Sequence, residues 1–99
     1  MDDLFGIIFN YWLEGRNSVE RSVINRKFLG YVDKSQYGKY SYVREGLMTN
    51  IPHIHVSNSL FIVRQEDLNK IISFFEEYKV ELFFRKVVLT ESDIKVLLK

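Results

Sequence analysis

The sequence predicts an α+β fold: a small antiparallel sheet with a central hairpin, packed against three helices in a single domain over residues 1–99. Three observations carry that expectation. Leu68, Ile71, Ile72 and Phe75 recur at helical spacing with acids on the outer face, so "QEDLNKIISFFEEYK" reads as an amphipathic helix. "KFLGYVDKSQYGKYSYVRE" holds two runs rich in aromatic and β-branched residues around a turn, which is a hairpin pattern. Thr90 followed three residues later by Asp93 opens "TESDIKVLLK" with a variant of the helix capping box.

The elements follow in order. "DDLFGIIFNYWLEG" reads as a first helix, with Asp2 and Asp3 facing the positive end of the dipole and Gly15 just past the last turn. Leu4, Ile7, Ile8 and Tyr11 form one stripe on it, and Phe5, Phe9 and Trp12 a second. A helix apolar on both sides must be buried on both, so a homodimer through residues 4–13 is expected, with Phe5, Phe9 or Trp12 at the seam. "NSVERSVINRK" stays open between a short helix and an irregular strand. The hairpin runs are placed at about 27–32 and 39–44 around Asp33, Ser35 and Gly38. Alternation sets Tyr40 and Tyr42 on one face, with Ser41 and Val43 on the other. "HIHVSNSLFIVR" supplies one or two strands, and Pro52 limits where the first begins. "VELFFRKVVL" reads as one strand, or as two short ones around Arg85–Lys86.

Composition narrows the class. At 99 residues with 46% apolar and 27% charged residues, the chain is an ordinary globular domain with a modest core. It has no cysteine, which excludes disulfides and thiolate metal sites. No apolar run approaches the ~18–20 residues that span a bilayer, and "MDDLFG" lacks the basic start of a signal peptide, so a cytoplasmic, intracellular protein with no membrane partner is expected. Alanine is absent while Ile, Asn, Lys, Tyr and Phe abound, a bias that fits AT-rich coding of viral or mobile-element type.

Charge is distributed unevenly. The net charge is +1, yet residues 1–20 carry four acids and one base. Residues 21–44 carry Arg21, Arg26, Lys27, Lys34, Lys39 and Arg44 against Asp33 alone. Polyanions respond to such a local field more than to the total. Within it Tyr31, Tyr37, Tyr40 and Tyr42 interleave with Lys34, Lys39 and Arg44, rings that can stack on bases beside cations that can meet phosphates. The nucleic-acid-binding residues predicted here are Lys34, Lys39, Tyr40, Tyr42 and Arg44. The same tyrosines would also serve a non-catalytic inhibitor or adaptor that anchors a host protein.

The two histidines stand in "NIPHIHVSNSLFIV". On a strand, His53 and His55 project from one face and can both reach one cation. This His-x-His resembles the HUH motif of rolling-circle replication initiators and related nicking enzymes, and "FLGY" at Phe28–Tyr31 is similar to the first motif of those initiators. The resemblance implies a divalent metal held by His53 and His55 and a tyrosine nucleophile on a helix. Tyr78 in "EEYKV" is the candidate, followed directly by Lys79 where the family places its lysine three residues later.

A second resemblance covers more of the chain. "FNYWLEGR" followed by strands, and then "LFIVRQEDLNKIISFFEEYKVELFFRKVVLTESDIKVLL", resemble the LAGLIDADG homing-endonuclease domain. The resemblance implies the order α-β-β-α-β-β-α, Glu14 as the metal-holding catalytic acid beside Gly15, and Tyr31–Arg44 within a DNA-facing saddle. It also implies two domains packed through their first helices. Other chemistry finds no purchase: the five glycines never cluster into a phosphate loop, and no serine occupies a nucleophile elbow. The expected function is therefore a small nucleic-acid-binding protein, with DNA favoured over RNA and a LAGLIDADG-like endonuclease activity in view. The alternatives are an HUH-like nicking enzyme and the protein-binding adaptor.

Overall fold

The structure, a computed structural model, describes residues 3–35 and 37–98. The class is α+β, with three helices, one four-stranded antiparallel sheet and one two-stranded hairpin among the described residues. The chain divides into two compact units, one formed by residues 1–14 and 51–99 and the other by residues 15–50.

The first unit opens on strand β1, Phe5–Trp12, where a helix was expected. Asp2 lies outside the described residues, and Gly15, at φ +85°, ends a strand's exit turn and not a helix. The strand is paired on both sides, and its faces cut across the two apolar stripes: Ile7 and Tyr11 of one share a face with Phe5 and Phe9 of the other. Ile7, Phe9 and Tyr11 are buried on one face, while Gly6, Ile8 and Asn10 lie on the other. A central strand reads as a near-continuous apolar run, as a buried helix does. The expected dimer seam over residues 4–13 thus loses its helix face, and Phe9, only 1% exposed, belongs to the core.

The other sheet strands of this unit are β4 (His53–Ser57), β5 (Leu60–Arg64) and β6 (Glu81–Val88). The order is β4-β5-β1-β6, all neighbours antiparallel. "HIHVSNSLFIVR" is therefore two strands, and "VELFFRKVVL" is one. Helix α2, Leu68–Glu77, links β5 to β6 across β1, a split β-α-β unit. In chain order the strands and α-helices outside the hairpin run β-α-β-β-α-β as far as β6, with α1 (Ser18–Leu29) and the hairpin belonging to the second unit. The α-β-β-α-β-β-α order implied by the homing-endonuclease resemblance is not the one found. The pattern itself carries no function.

One face of the sheet forms the core. Ile7, Phe9, Tyr11, Phe61 and Val63 meet Ile71 and Phe75, the buried positions of α2. Phe9 stacks on Phe61 with ring centroids 5.4 Å apart, and Tyr11 stacks on Phe75 at 4.7 Å. Just before α2 the buried carboxylate of Asp67 accepts a hydrogen bond from Arg64 Nε at 2.8 Å, with Lys70 Nζ at 3.8 Å. On the opposite face Gly6 leaves room for Leu89; a Cβ at Gly6 would stand 2.7 Å from Leu89 Cδ2. Helix α3, Glu91–Leu97, then packs beside β4. It begins on the capping box read from the sequence: the Asp93 N–H donates to Thr90 Oγ1 at 3.2 Å and the Thr90 N–H to Asp93 Oδ2 at 2.9 Å.

Burial pushes the Tyr11 hydroxyl up to about 12. Its unfolded value is near 10, so the folded state holds this proton more tightly. The associated stability is intact below about pH 10 and is lost as pH climbs towards 12. Thermal melts should hold level from pH 7 to 9 and fall above 10, and Tyr11→Phe should blunt that fall.

The second unit opens on helix α1, Ser18–Leu29. Asn17 Oδ1 accepts the Glu20 N–H at 2.8 Å, and Asn17 Nδ2 donates to Glu20 Oε1 at 3.1 Å, which fixes the helix start. Gly30, at φ +79°, ends it with an N–H donated to the Arg26 carbonyl at 2.8 Å. Residues 27–29 are therefore helical, and the hairpin begins later than its expected first run, as β2 (Tyr31–Ser35) and β3 (Tyr40–Arg44). A 3-10 turn at Leu47–Asn50 packs on α1. Where the hairpin closes, a Cβ on Gly46 would overlap the Gly30 amide and stand 2.7 Å from the Phe28 oxygen, so only glycine fits.

Candidate functional site

The hairpin register decides which side chains share a face. Tyr31 pairs with Arg44, Asp33 with Tyr42 and Ser35 with Tyr40; Val32 pairs with Val43 and Lys34 with Ser41. One face is therefore Tyr31, Asp33, Ser35, Tyr40, Tyr42 and Arg44, and the other is Val32, Lys34, Ser41 and Val43. Tyr40 and Tyr42 share a face, as alternation predicted.

All three tyrosines of that face are exposed, and a cation attends each. The Arg26 guanidinium lies 4.7 Å from the Tyr31 ring centroid, Lys39 Nζ lies 5.8 Å from that of Tyr40, and the Arg44 guanidinium lies 5.7 Å from that of Tyr42. A cation over one side of an exposed ring leaves the ring a second side on which to stack. Asp33 is the only acid in the hairpin. It binds Arg44 at 3.3 Å, an exposed pair that holds the guanidinium over the tyrosine face and that salt screens readily.

Two predicted residues are not where the sequence grouped them. Lys34 points from the opposite face, beside the exposed valines Val32 and Val43. Lys39 belongs to the turn, not to a strand. Three others, Tyr31, Arg26 and Tyr37, stand in the basic, tyrosine-rich stretch but outside the predicted binding set. Arg26 lies on α1, and only its place within the basic stretch hinted at a role. Tyr37 sits fully exposed in the turn with φ +59°, followed by Gly38 at φ +81°. A left-handed conformation costs a non-glycine residue about 1–2 kcal/mol, and here no packing offsets it.

His53 and His55 do share a sheet face, opposite Val63 and Phe61. Their rings contact Phe61: His55 stacks on it at 4.2 Å and His53 meets it edge-on at 5.8 Å. His53 Nδ1 lies 2.8 Å from the Ile51 carbonyl oxygen and His55 Nε2 lies 3.0 Å from that of Asn58, so one nitrogen of each ring is taken up by backbone. Among the described residues no group of three or more His, Asp or Glu side chains is placed to hold a metal ion. Manganese or zinc at millimolar concentration is expected to leave the melting temperature unchanged, because only a ligand that binds the folded state raises it. A clear rise in a thermal-shift titration would restore the metal reading. Glu14 is exposed in the turn that follows β1, so it stands at a strand's end and not at the helix end that the resemblance requires. Tyr78 caps α2 and packs on Phe74 at 4.9 Å.

No helix among the described residues is long and apolar enough to cross a membrane. Comparison of the chain with protein-family models, with curated proteins and with solved structures finds no match. Its own residues therefore carry the functional reading.

Proposed function

We propose that the protein binds single-stranded nucleic acid on the tyrosine face of the β2–β3 hairpin. The observation that carries the reading is the set of three exposed rings, Tyr31, Tyr40 and Tyr42, on one face with a cation beside each. Bases stack on such rings whatever their identity, while Arg26, Lys39 and Arg44 meet phosphates, so binding is broad in sequence and strongly electrostatic. The proposal is one of binding and includes no catalytic step.

The test is fluorescence anisotropy on labelled single-stranded and duplex DNA and RNA across a salt series. Three phosphate contacts give a log–log slope of about −2 on single strands, at about −0.7 per contact. Serine at Arg26, Lys39 and Arg44 together should flatten that slope, and serine at Lys34 should barely change it. If the wild-type protein binds none of the four substrates at low salt, the reading is wrong, and the tyrosine face belongs to a protein partner.

A further inference from the structure

Strand β6 is an outer strand of the four-stranded sheet. One contact orients its backbone. The Leu89 N–H donates to the Leu4 carbonyl at 2.8 Å, one residue beyond the Phe5↔Val88 pair. Antiparallel pairs alternate between exchanging both backbone bonds and exchanging none. Gly6↔Val87, Ile8↔Arg85 and Asn10↔Phe83 therefore exchange bonds, whereas Leu82, Phe84 and Lys86 turn their N–H and C=O groups away from β1. Arg85 agrees with this, since its Nη1 donates to the outward Phe84 carbonyl at 2.7 Å.

The two edges of the sheet are unlike. β4, at the other edge, has five residues, follows Pro52 and is broken by an irregularity between His55 and Ser57. Shortness, proline and bulges all deter pairing. β6 has eight residues in unbroken register with β1, contains no proline and exposes Phe83 and Phe84. Its one deterrent is the charge on Arg85 and Lys86.

We infer that β6 is the docking edge for a second copy of this chain, joined antiparallel about a two-fold axis at Phe84. In that register Phe84 faces Phe84 of the second copy and Leu82 faces Lys86. The outward groups of all three residues then engage in six backbone hydrogen bonds. Phe83 faces Arg85 of the second copy, twice by symmetry, so the guanidinium that lies 4.1 Å from its own Phe83 ring gains another. Glu81 lies diagonal to Arg85 of the second copy, within reach of a long side chain. Beside β6, on the face of Leu82 and Phe84, an open groove is lined by Ile72, Phe75, Val80 and Glu76. Lys86 of the second copy, opposite Leu82, enters that groove towards the Glu76 carboxylate. Axes one or two residues further along would set Arg85 against Arg85 or Lys86 against Lys86, which like charges oppose. Charge thus opposes the axes displaced towards Lys86.

The chain has no cysteine, so single-cysteine variants read the register directly. A residue on the axis meets its own copy about 5.5 Å away between Cα atoms, within disulfide range. Under mild oxidation F84C is expected to cross-link at least tenfold faster than F83C, R85C or W12C. Sedimentation equilibrium should show a monomer–dimer equilibrium for the unmodified chain. F84K places two like charges on the axis and should weaken association at least tenfold. K86P should do the same by deleting an outward N–H that the β1 ladder does not use, and it serves if F84K fails to fold by circular dichroism. A monomer at several hundred micromolar overturns the inference, as does fastest cross-linking at any of the other three positions.

Discussion

Alanine at Tyr40 and Tyr42 together is expected to weaken single-strand binding by about 2–6 kcal/mol, from about 1–3 kcal/mol for each lost base–ring stack. Both rings are exposed, so removing them leaves no cavity and the melting temperature should stay nearly constant. Phenylalanine at the same positions keeps the ring and should restore most of the affinity. The salt slope should survive in the alanine variant, because the phosphates still meet Arg26, Lys39 and Arg44. Anisotropy titrations of the wild-type, alanine and phenylalanine proteins on one oligonucleotide separate the two contributions. An alanine variant that binds single strands as tightly as the wild type would remove stacking from the account.

Phe61→Ala is expected to destabilise the fold by about 3–5 kcal/mol. Phe61 is fully buried at the meeting point of five rings: Phe9, Tyr11, His53 and His55 contact it directly, and Phe75 packs on Phe9 and Tyr11. Its loss leaves a void that the neighbouring strands, tied by hydrogen bonds on both sides of β5, cannot close. For a domain of this size that is a fall of roughly 15–30 °C in melting temperature. A fall under about 5 °C in a thermal melt would mean that the aromatic cluster contributes far less than its burial implies.

Much of the architecture was legible because its signals were local. The apolar spacing of α2, the Thr90–Asp93 cap of α3 and the strand composition of "VELFFRKVVL" each depend on neighbours in sequence. β1 failed for a physical reason. Its apolar residues serve two faces, and a run of eight cannot distinguish a central strand from a buried helix. Phe5, Phe9, Tyr11 and Trp12 favoured the strand by type, and flanking Asp3 and Gly15 imitated helix ends. For α1 the discriminating pair was present but unused: Asn17 and Glu20 stand at capping-box spacing. On the hairpin, alternation places residues within one strand, so Tyr40 and Tyr42 were grouped correctly. Setting Lys34 apart from them required the register between strands, which the turn decides. Arg26 reaches Tyr31 only because Gly30 ends the helix between them.

The hairpin is solvent-facing on both sides, with no strand residue buried, whereas β1 is laddered on both edges and buried on one face. Such a ribbon is marginal by itself in water, its ladder held by the glycine crossing at its base and by the exposed Asp33–Arg44 pair. Its amides should therefore exchange with deuterium through local opening, long before those of β1, which require the whole sheet to come apart. A ligand seated across Tyr40 and Tyr42 would tie the two strands together and slow exchange there first, while β1 reported nothing. The hairpin, which opens before β1, is thus the element whose protection would report an occupant.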